Sequence, residues 1–270
     1  MKSRNWNLLF GAVIVGLILL VAIFAPWIAP YDPMQIALEK EFSQPSREHW
    51  LGCDANGSDI FSILVFGSRI ALLVGVSATL SALFIGLLLG SVAGYFGGWR
   101  DSLLMRILDI VFAFPGIILA IALASMLGPS EGNLILCLVA TGWAGYARLV
   151  RGEVRSIRNL EYIEAAHALG LNKRCIFVFH LWPNIASPLL VSATFGVAGT
   201  ILAEASLSFL GVGVPPGTPS WGALLSFGRD VLIEAPHVAT FPGLAIMTTV
   251  LGFHLLGEGL RHKLDPKANR

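Results

Sequence analysis

Few side chains of this chain can do chemistry, and their spacing gives them little to do. His167 and His180 lie thirteen residues apart, His254 and His262 sit near the end, and no HxH or HxxH pair presents two imidazoles to one metal ion. Cys53, Cys137 and Cys175 are odd in number and far apart, without a CxxC, so they define neither a disulfide framework nor a zinc spacing. Cys137 lies in an apolar run and reads as a small packing residue. HExxH, GxSxG and GxxxxGK(S/T) are all absent. The expectation is a chain with no catalytic residue, no metal and no bound nucleotide of its own.

Three ionisable residues stand out because they fall in or beside apolar segments, where charge is costly and marks a functional candidate. Arg106 and Asp109 are three apart on one helical face and can form an ion pair, or act in gating. Glu204, in Leu202-Ala-Glu-Ala-Ser, can line a path and meet an amino group or a cation, or bond to a neighbouring helix. Pro115 and Pro242 are expected to kink their helices.

The elements that must hold these residues follow from composition. Charged residues make up 13% of the 270 and hydrophobic ones 55%, against about 25% charged in a soluble domain. A single water-soluble core leaves too much surface for so apolar a chain, and disorder is excluded by the same excess. The chain is predicted to be an all-α integral membrane protein with six transmembrane helices, at 8–29, 70–96, 110–127 (extended by 103–109), 133–150, 185–210 and 238–256. The first is too long for the core of a cleaved signal peptide and is expected to be retained. Residues 1–69 then comprise a helix and an extracytoplasmic loop. Residues 70–257 form a five-helix core with a loop at 151–184, and 258–270 form a tail.

Of the 18 Lys and Arg, only Lys40, Arg47, Arg69 and Arg229 fall on one side of this arrangement. The rest, including Arg148, Arg151, Arg155, Arg158, Lys173 and Arg174 around one loop, fall on the other, which places both termini in the cytoplasm. The outer segments are an acidic stretch at 30–69 and a Gly/Pro-punctuated one at 211–237, whose Trp221 suits a membrane interface. Either they meet an extracytoplasmic partner or they only cover helix ends.

The inner loop has its own pattern. From Asn159 it reads NLEYIEAAHALGLNKRCIFVFHLWPN, with Leu160, Ile163, Ala166 or His167 and Ala168 at helical spacing. Gly170 follows as a left-handed cap, Asn172 can cap a second short helix, and Pro183 marks entry into the fifth span.

Glu164-Ala165-Ala166, Gly170 and the ending Leu181-Trp182-Pro183 resemble the EAA loop of ABC-importer permeases, which docks on the ATPase subunit. FAPWIAPYDP, HWLGCDANGSDIFS, SVAGYFGGWRD, LDIVFAFP, EASLSFLGVGVPP and LGEGLRHKLDPK are similar to the second permease subunit of dipeptide and oligopeptide importers, a family that also includes nickel carriers. The resemblance covers nearly the whole chain. It implies a type I importer permease fold with a cytoplasmic coupling helix, in a bacterial inner membrane. Implied partners are a second, homologous permease, two ATPase subunits that bind the ATP and Mg, an extracytoplasmic binding protein and membrane lipid, with no nucleic acid. The ATPase-coupling residues would be Glu164, Ala165, Ala166, Gly170, Leu181 and Pro183, with Glu164 meeting a basic group and the two alanines allowing close approach. Cys53 and Ser58 depart from the family's LGTD and GRD, which puts the role of that outer loop in doubt. Peptides, glutathione-like compounds, haem and nickel chelates all remain as substrates. A secondary transporter is the alternative from another class, but no internal repeat supports it.

Overall fold

The computed structural model describes residues 6–264, so Lys2, Arg4, Lys267 and Arg270, used above for orientation, lie outside the described residues. The described chain is helical throughout its apolar length. α1 (Trp6–Ile23) is followed by the short α2 (Ala25–Ile28) and an outer segment with one 3-10 turn, Leu38–Lys40. Then come α3 (Ile60–Phe96), α4 (Gly98–Phe112), α5 (Gly116–Leu127), α6 (Glu131–Ile157), α7 (Glu161–Ala168), α8 (Lys173–Cys175), a π-helical segment (Ile176–Leu181), α9 (Trp182–Phe209), α10 (Trp221–Asp230) and α11 (Pro236–Leu264). Among the described residues five helical stretches are long and apolar enough to cross a bilayer, and α4 with α5 supplies a sixth as a bent pair.

That pair departs from the expected kink. α4 and α5 meet at 82°, because Pro115 has no N–H to continue the ladder and its own backbone is extended, with ψ 122°. Ala113 ends α4 by donating to the Asp109 carbonyl at 2.9 Å. Pro242, by contrast, lies inside the uninterrupted α11.

α3 starts ten residues before its expected beginning and takes Arg69 into a 37-residue helix. At 1.5 Å per residue it is about 55 Å long, well beyond a hydrocarbon core of about 30 Å. Its start is fixed by Asp59, whose carboxylate accepts from the Ser62 amide (2.8 Å) and hydroxyl (2.7 Å). His49 bonds the other oxygen of Asp59 at 3.0 Å and meets Lys40 at 3.1 Å on its opposite nitrogen, which folds the outer segment onto the helix.

The core is a seam between α3 and α6. Gly86, Gly90 and Gly94 recur every fourth residue and let α6 pass against bare backbone. A Cβ on Gly90 would stand 2.5 Å from the Ala147 carbonyl, and one on Gly86 2.5 Å from Tyr146. Gly11 and Gly259 serve the same close approach between α1 and α11. Trp221 is not an interfacial residue: it is 3% exposed, its ring fills the space beside Gly67, and its indole N–H donates to the Leu64 carbonyl at 2.9 Å.

The seam yields a controlled test. Gly90→Ala should lower the melting temperature of the detergent-extracted protein, since overpacking costs about 1–3 kcal/mol. Gly16→Ala, where no neighbouring atom lies within 4 Å, should raise it slightly through helix propensity. Thermal unfolding of the two variants checks both signs.

Candidate functional site

The inner loop folds as a two-faced wedge. Leu160 turns the chain after α6, its N–H on the Ile157 carbonyl at 3.1 Å, and α7 starts immediately. Ile163 and Ala166 point into a buried cluster with Val150 and Val154 of α6, Ile176 and Leu181 of the π-helical segment, and Ile185 and Leu189 of α9. Glu161, Glu164, Ala165 and Ala168 lie on the exposed side. Leu160 and Ala168 are exposed as well, so the apolar face is narrower than the spacing suggested.

The wedge ends in a Schellman turn. Gly170 has φ +75°, and its N–H reaches the His167 carbonyl at 2.9 Å while Leu171 N–H reaches Ala166 at 3.2 Å. Asn172 caps α8 as expected, its side chain accepting from the Arg174 amide at 3.2 Å. The second helix is not separate, however: α8 runs through the π-helical segment directly into α9, with Pro183 in its first turn.

Other bonds tie the wedge to the membrane helices. Tyr95 near the end of α3 meets His167 Nε2 at 2.7 Å and packs on Phe177, ring centroids 4.8 Å apart. Arg158 donates to the Gly94 (3.0 Å) and Tyr95 (3.2 Å) carbonyls that close α3. Trp182 N–H donates to Ser91 at 3.1 Å. Arg151 forks onto Asp101, one arm at 2.8 Å.

The structure therefore divides the six residues of the loop pattern. Glu164, Ala165 and Pro183 are exposed, and Gly170 makes the turn. Ala166, 3% exposed, and Leu181, fully buried, anchor the loop to its own helices and offer no surface to a partner. That corrects the expectation of close approach at Ala166, because a buried Cβ in the cluster has no access from outside. Leu169 was missed: at 81% exposed beside Gly170, it is the apolar tip of the wedge. Tyr95, His167 and Arg158 were also missed as a group, since their partners lie more than sixty residues away along the chain.

In the membrane region, a cleft of about 530 Å³ opens between α3, α5, α6 and α9. Thr79, Thr141, Tyr146, Ser192 and Thr200 give it hydroxyl groups, glycines and alanines give it room, and no charged side chain lines it. Such a surface hydrogen-bonds amides without selecting a charge. Glu204 does not line this cleft. It is 1% exposed and accepts from Ser208 (2.8 Å) and Ser220 (3.1 Å), bracing α9 against the start of α10.

Arg106 and Asp109 do not pair with each other. Both are exposed on α4, and Asp109 turns to Arg148 of α6 at 3.9 Å, where Arg148 also lies over the Phe112 ring, 4.1 Å from its centroid. Arg106 makes no ion pair among the described residues.

A second cleft, about 370 Å³, lies between the outer segment and the 211–220 turn, with Met34, Pro215, Pro216, Ser220 and Phe227 around Asp54. Asp54 accepts from the Asn56 (2.9 Å) and Ser58 (2.8 Å) amides on one oxygen. Burial pushes its carboxyl above the usual range, against those bonds. Ser58 donates to the Gln35 carbonyl at 2.8 Å and Cys53 is fully buried, so the two departing positions hold this outer loop from within.

The comparisons with known proteins agree with this geometry. Residues 86–270 match the family described as binding-protein-dependent transport system inner membrane component. Residues 3–45 match the N-terminal TM domain of oligopeptide transport permease C. The chain is 46% identical over 265 residues to the glutathione transport system permease protein GsiD of Escherichia coli O6:K15:H31, covering 98% of this chain and 88% of the relative. It is 43% identical to the protein of the same name from Pectobacterium atrosepticum, covering 95% and 86%. It is 42% identical to the dipeptide transport system permease protein DppC of Alkalihalophilus pseudofirmus, covering 98% and 87%.

Two measurements test the site. Ile163→Ala should cost about 2–5 kcal/mol locally and raise amide hydrogen exchange across 161–170 while leaving α3 protected. For Asp54, the folded carboxyl keeps its proton to higher pH than the unfolded one, so loop stability falls as pH rises from 3.8 through the raised folded value. Asp54→Asn keeps an oxygen for both amides and should flatten that dependence, read from the exchange of Ser58 after correction for intrinsic rates.

Proposed function

This chain belongs to the family of inner membrane components of binding-protein-dependent transport systems, and from that premise we propose that it is one permease of an ATP-driven importer of di- or oligopeptides or glutathione-like compounds. A second, homologous permease, two ATPase subunits carrying ATP and Mg, and an extracytoplasmic binding protein complete the machine. Both termini and the α7 wedge face the cytoplasm.

The observation that carries the reading is the wedge: an exposed face of Glu164 and Ala165 with Leu169 at its tip, backed by a buried face locked to α6 and α9. A push on the exposed face moves a packed body and not a loose loop, because densely packed interiors transmit strain. Glu164 supplies a charge for a basic group of the ATPase, and Leu169 an apolar plug. The displacement passes through Ala166 and Leu181 into α6 and α9, two of the walls of the hydroxyl-lined cleft. Closure of the ATPases then reshapes that cleft from the inside, and the loaded binding protein delivers substrate from the outside.

The cleft supports an amide-bearing substrate. Thr79 and Thr200 bond each other at 3.1 Å, and Thr141 donates to the Cys137 carbonyl of its own helix. The Thr141 and Thr200 oxygens therefore keep lone pairs that can accept from peptide N–H groups, and the lack of charge leaves selection of peptide ends to the binding protein.

Glu164→Lys should lower dipeptide and glutathione uptake at least tenfold, about 1.4 kcal/mol of lost coupling, with normal membrane levels and weakened co-purification of the ATPase. Gly170→Ala, which forces a side chain to φ +75°, should cost about 1–2 kcal/mol and reduce uptake less. Unchanged transport in both variants overturns the lever.

A further inference from the structure

The inner end of α3 gathers more positive charge than its neighbours neutralise. Arg100 of α4 and Lys173 of α8 both stack on the Phe96 ring, 4.6 and 5.2 Å from its centroid. Neither makes an ion pair among the described residues. Arg151, Arg155 and Arg158 surround Asp101 close by, and Arg158 is committed to α3 carbonyls. Asp101 is the one carboxylate these contacts place among five basic side chains. Two cations drawn to one ring with no acid between them repel, and a shared anion removes that cost.

The surrounding surface says which anion. Phe96 closes a ridge of α3, Leu80, Phe84, Leu88, Val92 and Phe96, exposed at every fourth residue and opposite the glycine seam. Trp99, 71% exposed, stands at the turn beside it. An apolar ridge that runs into an aromatic pair crowned by two cations reproduces the layering of a phospholipid: tails, interface, headgroup. A dissolved phosphate or an acidic protein surface would use the cations and leave the ridge without a partner.

We propose that Arg100 and Lys173, seated on Phe96, bind the phosphate of an anionic phospholipid, phosphatidylglycerol or cardiolipin in class, with its acyl chain along the α3 ridge. This rests on the orientation given above, which places this end of α3 at the cytoplasmic leaflet. Because Lys173 opens α8 three residues after Gly170, the bound headgroup pins the return strand of the coupling wedge to the bilayer.

The test uses the complete transporter in vesicles of equal phosphatidylglycerol and phosphatidylcholine, extracted gently, with retained lipid identified by native mass spectrometry. Wild type should retain phosphatidylglycerol preferentially. The double variant Arg100→Gln, Lys173→Gln should lose that preference roughly thirtyfold, two basic side chains at about 1 kcal/mol each. Arg261→Gln, a basic residue at the same leaflet beside Glu258, should leave it unchanged. Equal retention in the double variant, or an equal loss with Arg261→Gln, overturns the site. Displacement by dissolved inorganic phosphate would show a free-anion site, and a photo-crosslinker at position 100 that captures the ATPase would show a protein contact; either sinks the proposal. ATPase subunits are counted in the same preparation. Wild type without a lipid preference but with ATPase present faults this inference alone, whereas ATPase missing from wild type faults the importer reading.

Discussion

Helices in hydrocarbon gain little from burying apolar surface against each other, because lipid tails are as apolar as leucine. What joins them is the close approach of backbones, and in this protein that approach is concentrated where Gly86, Gly90 and Gly94 let α6 lie against α3. The seam runs from Gly86 to Gly94, and at its end Gly94 faces both Arg151 and Val154 of α6. Everything below it inherits its position. Val150 faces Gly90 and Val154 faces Gly94 within the seam, so both are held and present a fixed apolar floor on which α7 settles.

That inheritance explains why a short helix is rigid enough for the lever role proposed for it. Eight residues alone would be marginal as a helix in water. α7 is stable because Ile163 and Ala166 are packed on one side, Gly170 closes its last carbonyls, and Tyr95 holds His167 from α3. The π-helical segment that follows carries the chain into α9 without a loop, so α7 and the cleft wall belong to one mechanical unit.

What could be read in the sequence was what local chemistry decides. Gly170 as a left-handed cap, Asn172 as an N-cap and five of the six apolar segments depend on a few neighbouring residues, and they stand, while the third segment is the bent pair α4 and α5. Partner choice across distance could not be read. Asp109 turns to Arg148 and not to Arg106, because the face it occupies borders α6. Trp221 looked interfacial because nothing nearby in the sequence announced that Gly67 leaves a slot for its ring. Ala165 and Ala166 are alike in type, and only the tertiary cluster decides that one is surface and the other anchor. Pro115 was recognised as a disruption, but whether a proline kinks or breaks depends on what the two halves pack against.

The placement of charge follows from the same separation of duties. A carboxylate in the cleft would bind one peptide terminus tightly and resist its release, since desolvated charge pairs are strong and costly to break. The cleft instead carries hydroxyls, and Glu204, the buried carboxylate nearest to it in sequence, is turned away and held by Ser208 and Ser220. Charge is kept at the two ends of the helices, in Asp54 at one and in the arginine-rich rim around Asp101 at the other. For the import pathway proposed above, a middle without charge suits a solute that must be taken in and let go, with its recognition left to the binding protein.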